Sequence, residues 1–156
     1  TTIMEKRKFS KEYFFLYHKG GNLGAALRLA KDIMVKGEKM PVVDHKKSFE
    51  HAIKIMNKKN LGIVVITRKG FIKNIITDGD IRRILNTSSK RRNLDDIKKS
   101  KPMVISENMS ASKALGFMSE KKITSLLVVS DKDRKKKNKI LKGIIHIHFL
   151  LRDGIK

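Results

Sequence analysis

The chain contains the same pattern of residues twice, with the second copy 62 positions after the first. In both copies apolar residues recur at positions i, i+3, i+4 and i+7, which is the spacing of an amphipathic helix. These residues are Phe49, Ala52, Ile53 and Met56 in the first copy, and Ala111, Ala114, Leu115 and Met118 in the second. A serine precedes each segment, at positions 48 and 110, and serine is a preferred N-cap. The repeat therefore predicts two equivalent structural units.

Each predicted helix is followed by two apolar runs and a short apolar-basic segment, and is preceded by a short extended piece. The apolar runs are short and rich in β-branched residues, which favours buried strands. We predict strands over 40–43, 61–66, 71–76, 102–105, 123–129 and 140–145, and short helices over 81–85 and 149–152. Each copy then has the order strand-helix-strand-strand-helix, which is an α+β fold.

The two copies are expected to pack together. A unit of about 60 residues buries too little surface to be stable by itself. The connection 86–96 is polar and basic, which indicates a surface crossover rather than a flexible linker. We therefore expect the strand faces of the two repeats to form a pseudo-twofold pair.

A large positive charge is spread along the whole chain. Lys and Arg number 37 against 15 Asp and Glu, so the formal net charge is +22, which first indicates a nucleic-acid partner. The alternative is a compositional bias, because Lys, Ile and Asn, which all have A/T-rich codons, make up 55 of the 156 residues. Aromatic residues do not interleave with the denser basic runs at 90–101 and 132–139, although single-strand binding sites combine both. Nucleic acid is therefore not the expected partner, and a basic nucleic-acid-binding protein is kept as the alternative function.

Several other classes of protein are excluded by composition. The chain has no Cys, which excludes a disulfide scaffold and a Cys-ligated zinc module. No apolar run approaches the roughly 18 residues that a membrane span needs. No secretory signal is recognised, so the expected setting is cytoplasmic.

A candidate ligand site follows the last predicted strand of the first repeat. Thr77 and Asp80 place a hydroxyl and a carboxylate at the start of a helix, where a carboxylate can accept from ribose hydroxyls and free N–H groups favour a phosphate. Arg82 and Arg83 could pair with a phosphate or a carboxylate. The spacing alone favours the alternative that Asp80 caps the helix and the arginines are solvated.

The second repeat departs from this pattern. Aligning His146 with Thr77 places Phe149 where the first repeat has Asp80, so an equivalent nucleotide site is not expected there. His146 and His148 alternate on a predicted strand and would share a face, but no third metal ligand is evident, so no metal site is predicted. A contact of these histidines with a ligand phosphate or carboxylate and a buried structural role both stay open.

Two hydroxyl residues interrupt the apolar strand of the second repeat. Thr124 and Ser125 can face the cleft between the repeats, or bond only to the backbone.

These residues resemble known protein families. The tandem units, together with the Thr-Asp-Gly-Asp-Ile-Arg-Arg segment 77–83, resemble a pair of CBS domains, a Bateman module. Segments 32–34, 77–83 and 146–152, with the His-Lys-Gly-Gly-Asn-Leu-Gly segment 18–24, are similar to the C-terminal half of bacterial arabinose 5-phosphate isomerases. The resemblance covers nearly the whole chain, from about residue 9 to residue 155.

The resemblance implies a regulatory module of an isomerase in Kdo, lipopolysaccharide or capsule biosynthesis. Its expected effector is a nucleotide or nucleotide-sugar such as CMP-Kdo, with no cofactor, held by Thr77, Asp80, Arg82, Arg83, Thr124, Ser125, His146 and His148. The module is expected to form a homodimer. His18 matches a histidine implicated in the isomerase active site of the family, whose partner residues would lie outside this chain.

The resemblance also implies a domain organisation. Residues 1–30 correspond to the end of a sugar isomerase domain, 31–92 to the first CBS repeat and 93–156 to the second. Since aldose–ketose isomerisation needs a positioned acid and base in a closed cleft, this chain is not expected to be an enzyme on its own. An isomerase subunit completed by another chain is the remaining alternative.

Overall fold

The two sequence repeats fold into two copies of one α+β unit. The computed structural model describes residues 24–25, 27–86, 93–97 and 100–155. The first repeat contains β1 (Val42–Asp44), α2 (Phe49–Lys59), β2 (Ile63–Arg68), β3 (Phe71–Thr77) and α3 (Asp78–Leu85), and it is preceded by α1 (Ala30–Ile33). The second contains β4 (Val104–Ser106), α4 (Ala111–Lys121), β5 (Ser125–Val129), β6 (Gly143–His146) and α5 (Ile147–Arg152). The predicted fold class and the order of its elements are confirmed.

Each repeat has a three-stranded sheet with the same topology. In the first, β2 lies in the centre, parallel to β1 and antiparallel to β3. In the second, β5 is central, parallel to β4 and antiparallel to β6. The parallel pair is possible because α2 or α4 supplies the crossover between its two strands.

The two long helices begin and end in equivalent ways. The Ser48 hydroxyl accepts a hydrogen bond from the His51 N–H at 3.1 Å, and the Ser110 hydroxyl accepts one from the Lys113 N–H at 3.2 Å. Both predicted N-caps are therefore confirmed. Each helix ends at a residue in the left-handed conformation, Asn60 with φ 58° and Lys122 with φ 56°, which stops the helix and turns the chain into the next strand.

The two sheets pack face to face, as predicted. Buried residues from both repeats form the layer between them, namely Leu61, Ile63, Val65, Leu127 and Ile144. The opposite face of each sheet packs against the long helix of the same repeat. Met56 of α2 is buried there in the first repeat, and Met118 of α4 is buried there in the second.

Each repeat is completed by the segment that precedes the other one. Ala30, which leads into the first repeat, is fully buried in the core of the second repeat, and its N–H donates to the Met109 carbonyl at 2.7 Å. Leu94 and Ile97, which lead into the second repeat, are buried in the core of the first. The domain bounds 31–92 and 93–156 stay a prediction, but the cores themselves are shared across them.

The short helices begin earlier than the apolar pattern predicts. α3 begins at Asp78 and not at position 81, because Thr77 caps it directly at the end of β3. α5 begins at Ile147, because the His146 side chain accepts from the His148 N–H at 3.2 Å and caps the helix. The prediction that His146 and His148 alternate on one strand is therefore wrong, since His148 is helical.

A search of the described residues for a helix long and apolar enough to cross a bilayer finds none.

Candidate ligand-binding clefts between the repeats

A cleft of about 280 Å³ lies where β3 of the first repeat meets the start of β5 of the second. Its polar lining consists of Thr77, Ser100, Lys101, Lys122, Thr124 and Ser125. We call it the hydroxyl cleft, because four of these six residues carry hydroxyl groups. The fold thus brings together three of the predicted ligand residues, Thr77, Thr124 and Ser125. Its floor is apolar, with Ile63 and Ile75 from the first sheet, Ile123 from the segment before β5, and Met103.

The Ser125 hydroxyl is buried in this cleft without a hydrogen-bond partner. The only other described side-chain atom in that condition is Asn74 Oδ1, which does not line the cleft. Ser125 lies two residues before Leu127 in β5, so its side chain is on the same face of the sheet as Leu127, which is in the layer between the sheets. Since an unpaired buried hydroxyl costs about 1–3 kcal/mol, a ligand group that pairs with it would recover free energy.

Asp80 lies behind the lining and organises it. The residue is only 2 % exposed. Its carboxylate accepts from the Thr77 N–H at 2.9 Å and from the Ser100 hydroxyl at 2.9 Å, while its own N–H donates to Thr77 Oγ1 at 3.2 Å. Arg83 donates to the other carboxylate oxygen. Asp80 therefore fixes two lining hydroxyl residues in place, and a direct contact of Asp80 with a ligand stays a prediction.

The two predicted arginines lie outside the cleft lining. Arg82 and Arg83 are exposed on α3, and Arg83 is ion-paired with Asp80. Their contact with a ligand stays a prediction. The positive charge at the cleft comes instead from Lys101 and Lys122, which are not among the predicted ligand residues.

Sequence reasoning could have found two of these missed residues. Lys122 is 62 positions after Asn60, so the repeat alone places both directly after a helix and before a strand. Lys101 is likewise 62 positions after Lys39, whereas Ser100 carries no such signal, because the first repeat has Glu38 at the equivalent position.

A second cleft, of about 420 Å³, occupies the equivalent position on the other side of the pair. Its lining residues Lys39 and Leu61 are 62 positions before Lys101 and Ile123 of the hydroxyl cleft. Phe149 lines it, and the guanidinium of Arg152 lies 4.8 Å from the centre of the Phe149 ring. Within the described residues its lining has no Ser or Thr, so the two clefts differ chemically.

His146 and His148 lie side by side next to Phe149. Their rings stack with centroids 4.9 Å apart. Burial, and then the charge of His148, lower the pKa of His146 below its ordinary value of 6.5. A neutral His146 fits its role as an acceptor for the His148 N–H. Neither histidine is in the lining of the hydroxyl cleft, so their contact with a ligand stays a prediction.

The remaining site predictions concern a metal and His18. Within the described residues no group of three or more His, Cys, Asp or Glu side chains is placed to hold a metal ion. His18, the candidate catalytic residue, lies outside the described residues.

Comparison with known families identifies the pair of repeats. The CBS domain family profile matches residues 30–87 and again residues 94–148. The chain belongs to the CBS domain family. The predicted tandem CBS pair is thus confirmed, and the hydroxyl cleft lies between its two CBS domains.

Relatives of this CBS pair include longer proteins. Protein RP505 of Rickettsia prowazekii (strain Madrid E) is 40% identical over 156 residues, which are 99% of this chain and 47% of that protein. The arabinose 5-phosphate isomerase KdsD of Yersinia pestis is 35% identical over 157 residues, covering 98% of this chain and 46% of the isomerase. The chain thus spans about half the length of the curated relatives that it matches, and the predicted relationship to arabinose 5-phosphate isomerases is confirmed.

A solved CBS pair shows the same fold with ligands bound. The CBS domain pair of protein MJ0100, in complex with 5′-methylthioadenosine and S-adenosyl-L-methionine, superposes with a TM-score of 0.64 and 25% sequence identity. The match covers 81% of this chain and 94% of that one.

Proposed function

We propose that this CBS pair is a regulatory module that binds a nucleotide or nucleotide-sugar in the hydroxyl cleft. The observation that carries the proposal is that Ser125 lines the cleft and that its buried hydroxyl has no hydrogen-bond partner among the described residues. Buried polar groups are normally paired, so an unpaired one in a cavity favours a missing ligand. The nucleoside ligands of the MJ0100 pair support this ligand class.

The chemistry of the cleft suits a small phosphorylated nucleoside. The hydroxyls of Thr77, Ser100 and Thr124 can exchange hydrogen bonds with ribose or base, and the apolar floor can pack against a base. Lys101 and Lys122 supply cations for the phosphate. A volume of about 280 Å³ is near the lower end for small-molecule sites, which favours a ligand of mononucleotide size.

The regulated activity would belong to a longer protein. We propose a cytoplasmic, homodimeric arabinose 5-phosphate isomerase of Kdo, lipopolysaccharide or capsule biosynthesis, with CMP-Kdo as an end-product effector. The relationship to KdsD supports this assignment. His18 would join that protein's active site, because a lone histidine cannot supply both the base and the acid of an isomerisation.

Ligand binding would act by fixing the position of one repeat against the other. The hydroxyl cleft takes residues from the end of β3, from the connection at 100–103 and from the segment 122–125. A ligand that contacts all three favours the arrangement in which they are close, which shifts the population of conformers. A change in the position of one repeat against the other would reach α1 directly, because α1 packs in the core of the second repeat.

The proposal is tested by titrating the chain with AMP, ATP and CMP-Kdo in a calorimeter, and by thermal unfolding with each ligand. A ligand present at about 100 times its dissociation constant should stabilise the fold by about 2.7 kcal/mol. Inorganic phosphate at the same concentration is the control, and it should stabilise much less than the nucleotides. The proposal fails if no nucleotide binds, or if phosphate alone reproduces the effect.

A further inference from the structure

A groove lined by basic residues lies at the end of β2 and β3 that is opposite to the hydroxyl cleft. It has a volume of about 400 Å³ and lies between the turn that joins β2 to β3 and the long loop 131–139 of the second repeat. Its lining includes Arg68, Lys69, Phe71, Lys73 and Lys137. We call it the basic groove. Only folding brings the two sides of the groove together, because they are more than 60 residues apart in the sequence.

The long loop is joined to the first repeat by a backbone hydrogen bond. The Ile72 N–H donates to the Lys139 carbonyl at 2.9 Å, which joins the two sides of the groove. Asp133 accepts from the Ile140 N–H at 3.1 Å and closes the loop on itself. Because the groove is already formed by these bonds, a ligand would bind without first ordering the loop.

The carboxylates of Asp131 and Asp133 in the loop accept hydrogen bonds from other groups of the protein. Asp131 accepts from the Ser106 hydroxyl and from the Asn108 amide at 2.7 Å, and these hydrogen bonds lower its pKa. Asp133 has a lowered pKa, mainly because of its bond to the Ile140 N–H. Both acids therefore stay ionised while directed toward protein donors.

Most of the cations of the groove have no such partner. Among the described residues, no carboxylate lies within ion-pair distance of Arg68, Lys69 or Lys137. Lys73 is the exception, with its Nζ 2.8 Å from Asp95 Oδ1. Three cations on one concave surface, without an ion-pair partner in the described part of the chain, favour a ligand with several phosphates in a row.

An aromatic residue in the groove narrows the ligand class. Phe71 is half-buried and lines the same surface as the cations. The sequence alone separates aromatic residues from the basic loop, but the fold brings Phe71 next to Lys137 in one groove. Cations for the backbone and an aromatic side chain for a base are the combination found in single-strand binding sites.

We propose that the basic groove binds single-stranded nucleic acid. Arg68, Lys69 and Lys137 hold successive phosphates, and an unstacked base packs against Phe71. A duplex keeps its bases stacked, so it can use the cations but not Phe71. This proposal is independent of the hydroxyl cleft, because the two sites share no lining residue.

Fluorescence anisotropy with a labelled 20-nucleotide oligo(U) tests the proposal on the full chain at several salt concentrations. The double variant Arg68→Glu/Lys137→Glu should bind about tenfold more weakly at 0.1 M salt, with a slope of log K against log salt about 1.4 shallower. The matched control is Lys54→Glu/Lys113→Glu, two exposed helix residues with the same change in charge. The control should change affinity by less than about threefold, because charges far from the bound oligonucleotide are largely screened at 0.1 M salt.

A second variant separates base contact from charge. Phe71→Leu should weaken oligo(U) binding by about fivefold or more and leave binding of a duplex of equal length unchanged. The proposal is overturned if the two charge variants lose affinity equally, since binding would then follow net charge alone. It is also overturned if Phe71→Leu binds oligo(U) like the unchanged chain.

Discussion

Replacing Gly143 with alanine is expected to destabilise the chain by about 2–3 kcal/mol, the usual cost of overpacking a core. A Cβ at position 143 would lie 2.5 Å from Cγ and 2.8 Å from Cβ of Met34. Met34 cannot easily move away, because the next residue, Val35, is held by two backbone hydrogen bonds. The Val35 N–H donates to the Ile144 carbonyl at 2.8 Å, and the Ile144 N–H donates to the Val35 carbonyl at 2.9 Å. Thermal or denaturant unfolding measures the effect, and a melting temperature about 4–12 °C lower is expected.

The matched control for this substitution is Gly116→Ala. Gly116 lies on the exposed face of α4, and a Cβ there would meet no atom within 4 Å. Because alanine is the better helix former, this variant should be unchanged or more stable by up to about 1 kcal/mol. Equal stability of the two variants would contradict the close packing of α1 and the following residues against β6.

Replacing Asp80 with alanine is expected to cost about 3 kcal/mol of unfolding free energy. The substitution removes the acceptor of the Thr77 N–H and of the Ser100 hydroxyl and leaves both donors unpaired in a part-buried site. It also removes the ion pair with Arg83. Denaturant unfolding of the variant measures the loss.

Asp78→Ala is the control for Asp80→Ala. Asp78 is exposed in the same first turn of α3, so it has the same interaction with the helix dipole and none of the buried bonds. It should cost less than about 1 kcal/mol. Similar losses for the two variants would show that Asp80 acts only through the helix end, and would refute its role in positioning Thr77 and Ser100.

The sequence predicts the parts of this fold that depend on local periodicity. The spacing from Phe49 to Met56 and its copy at 111–118 determine both long helices, and Ser48 and Ser110 mark where they begin. Local periodicity does not predict that the segment preceding each repeat packs in the core of the other repeat. α1 is four residues long, too short for a periodic signal, and its burial depends on contacts with a strand more than 100 residues away.

The candidate site was predictable only in part, for the same reason. Thr77 and Thr124 stand out because they are polar residues at the ends of apolar strands, and the structure places both in the hydroxyl cleft. Ser100 lies in a segment without an apolar pattern, so only the fold shows that it faces the same space. The sequence wrongly predicts that His148 lies on a strand, because a helix that is capped by a histidine at the end of a strand leaves no signal in the apolar pattern.

The proposed pairing of a ligand with the buried Ser125 hydroxyl is tested by the substitution Ser125→Ala. Removing an unpaired buried hydroxyl should leave the ligand-free chain as stable as before or up to about 1 kcal/mol more stable. The same substitution should weaken nucleotide binding about three- to tenfold, because one hydrogen bond to the ligand is lost. Ser119→Ala, on the exposed surface of α4, is the control and should change neither quantity.

Calorimetric titration of these variants with the nucleotide that binds best, together with their denaturant unfolding, gives both quantities. Ser125→Ala is expected to lose affinity for the nucleotide without losing stability. Unchanged nucleotide binding in Ser125→Ala would refute the pairing of the ligand with the Ser125 hydroxyl.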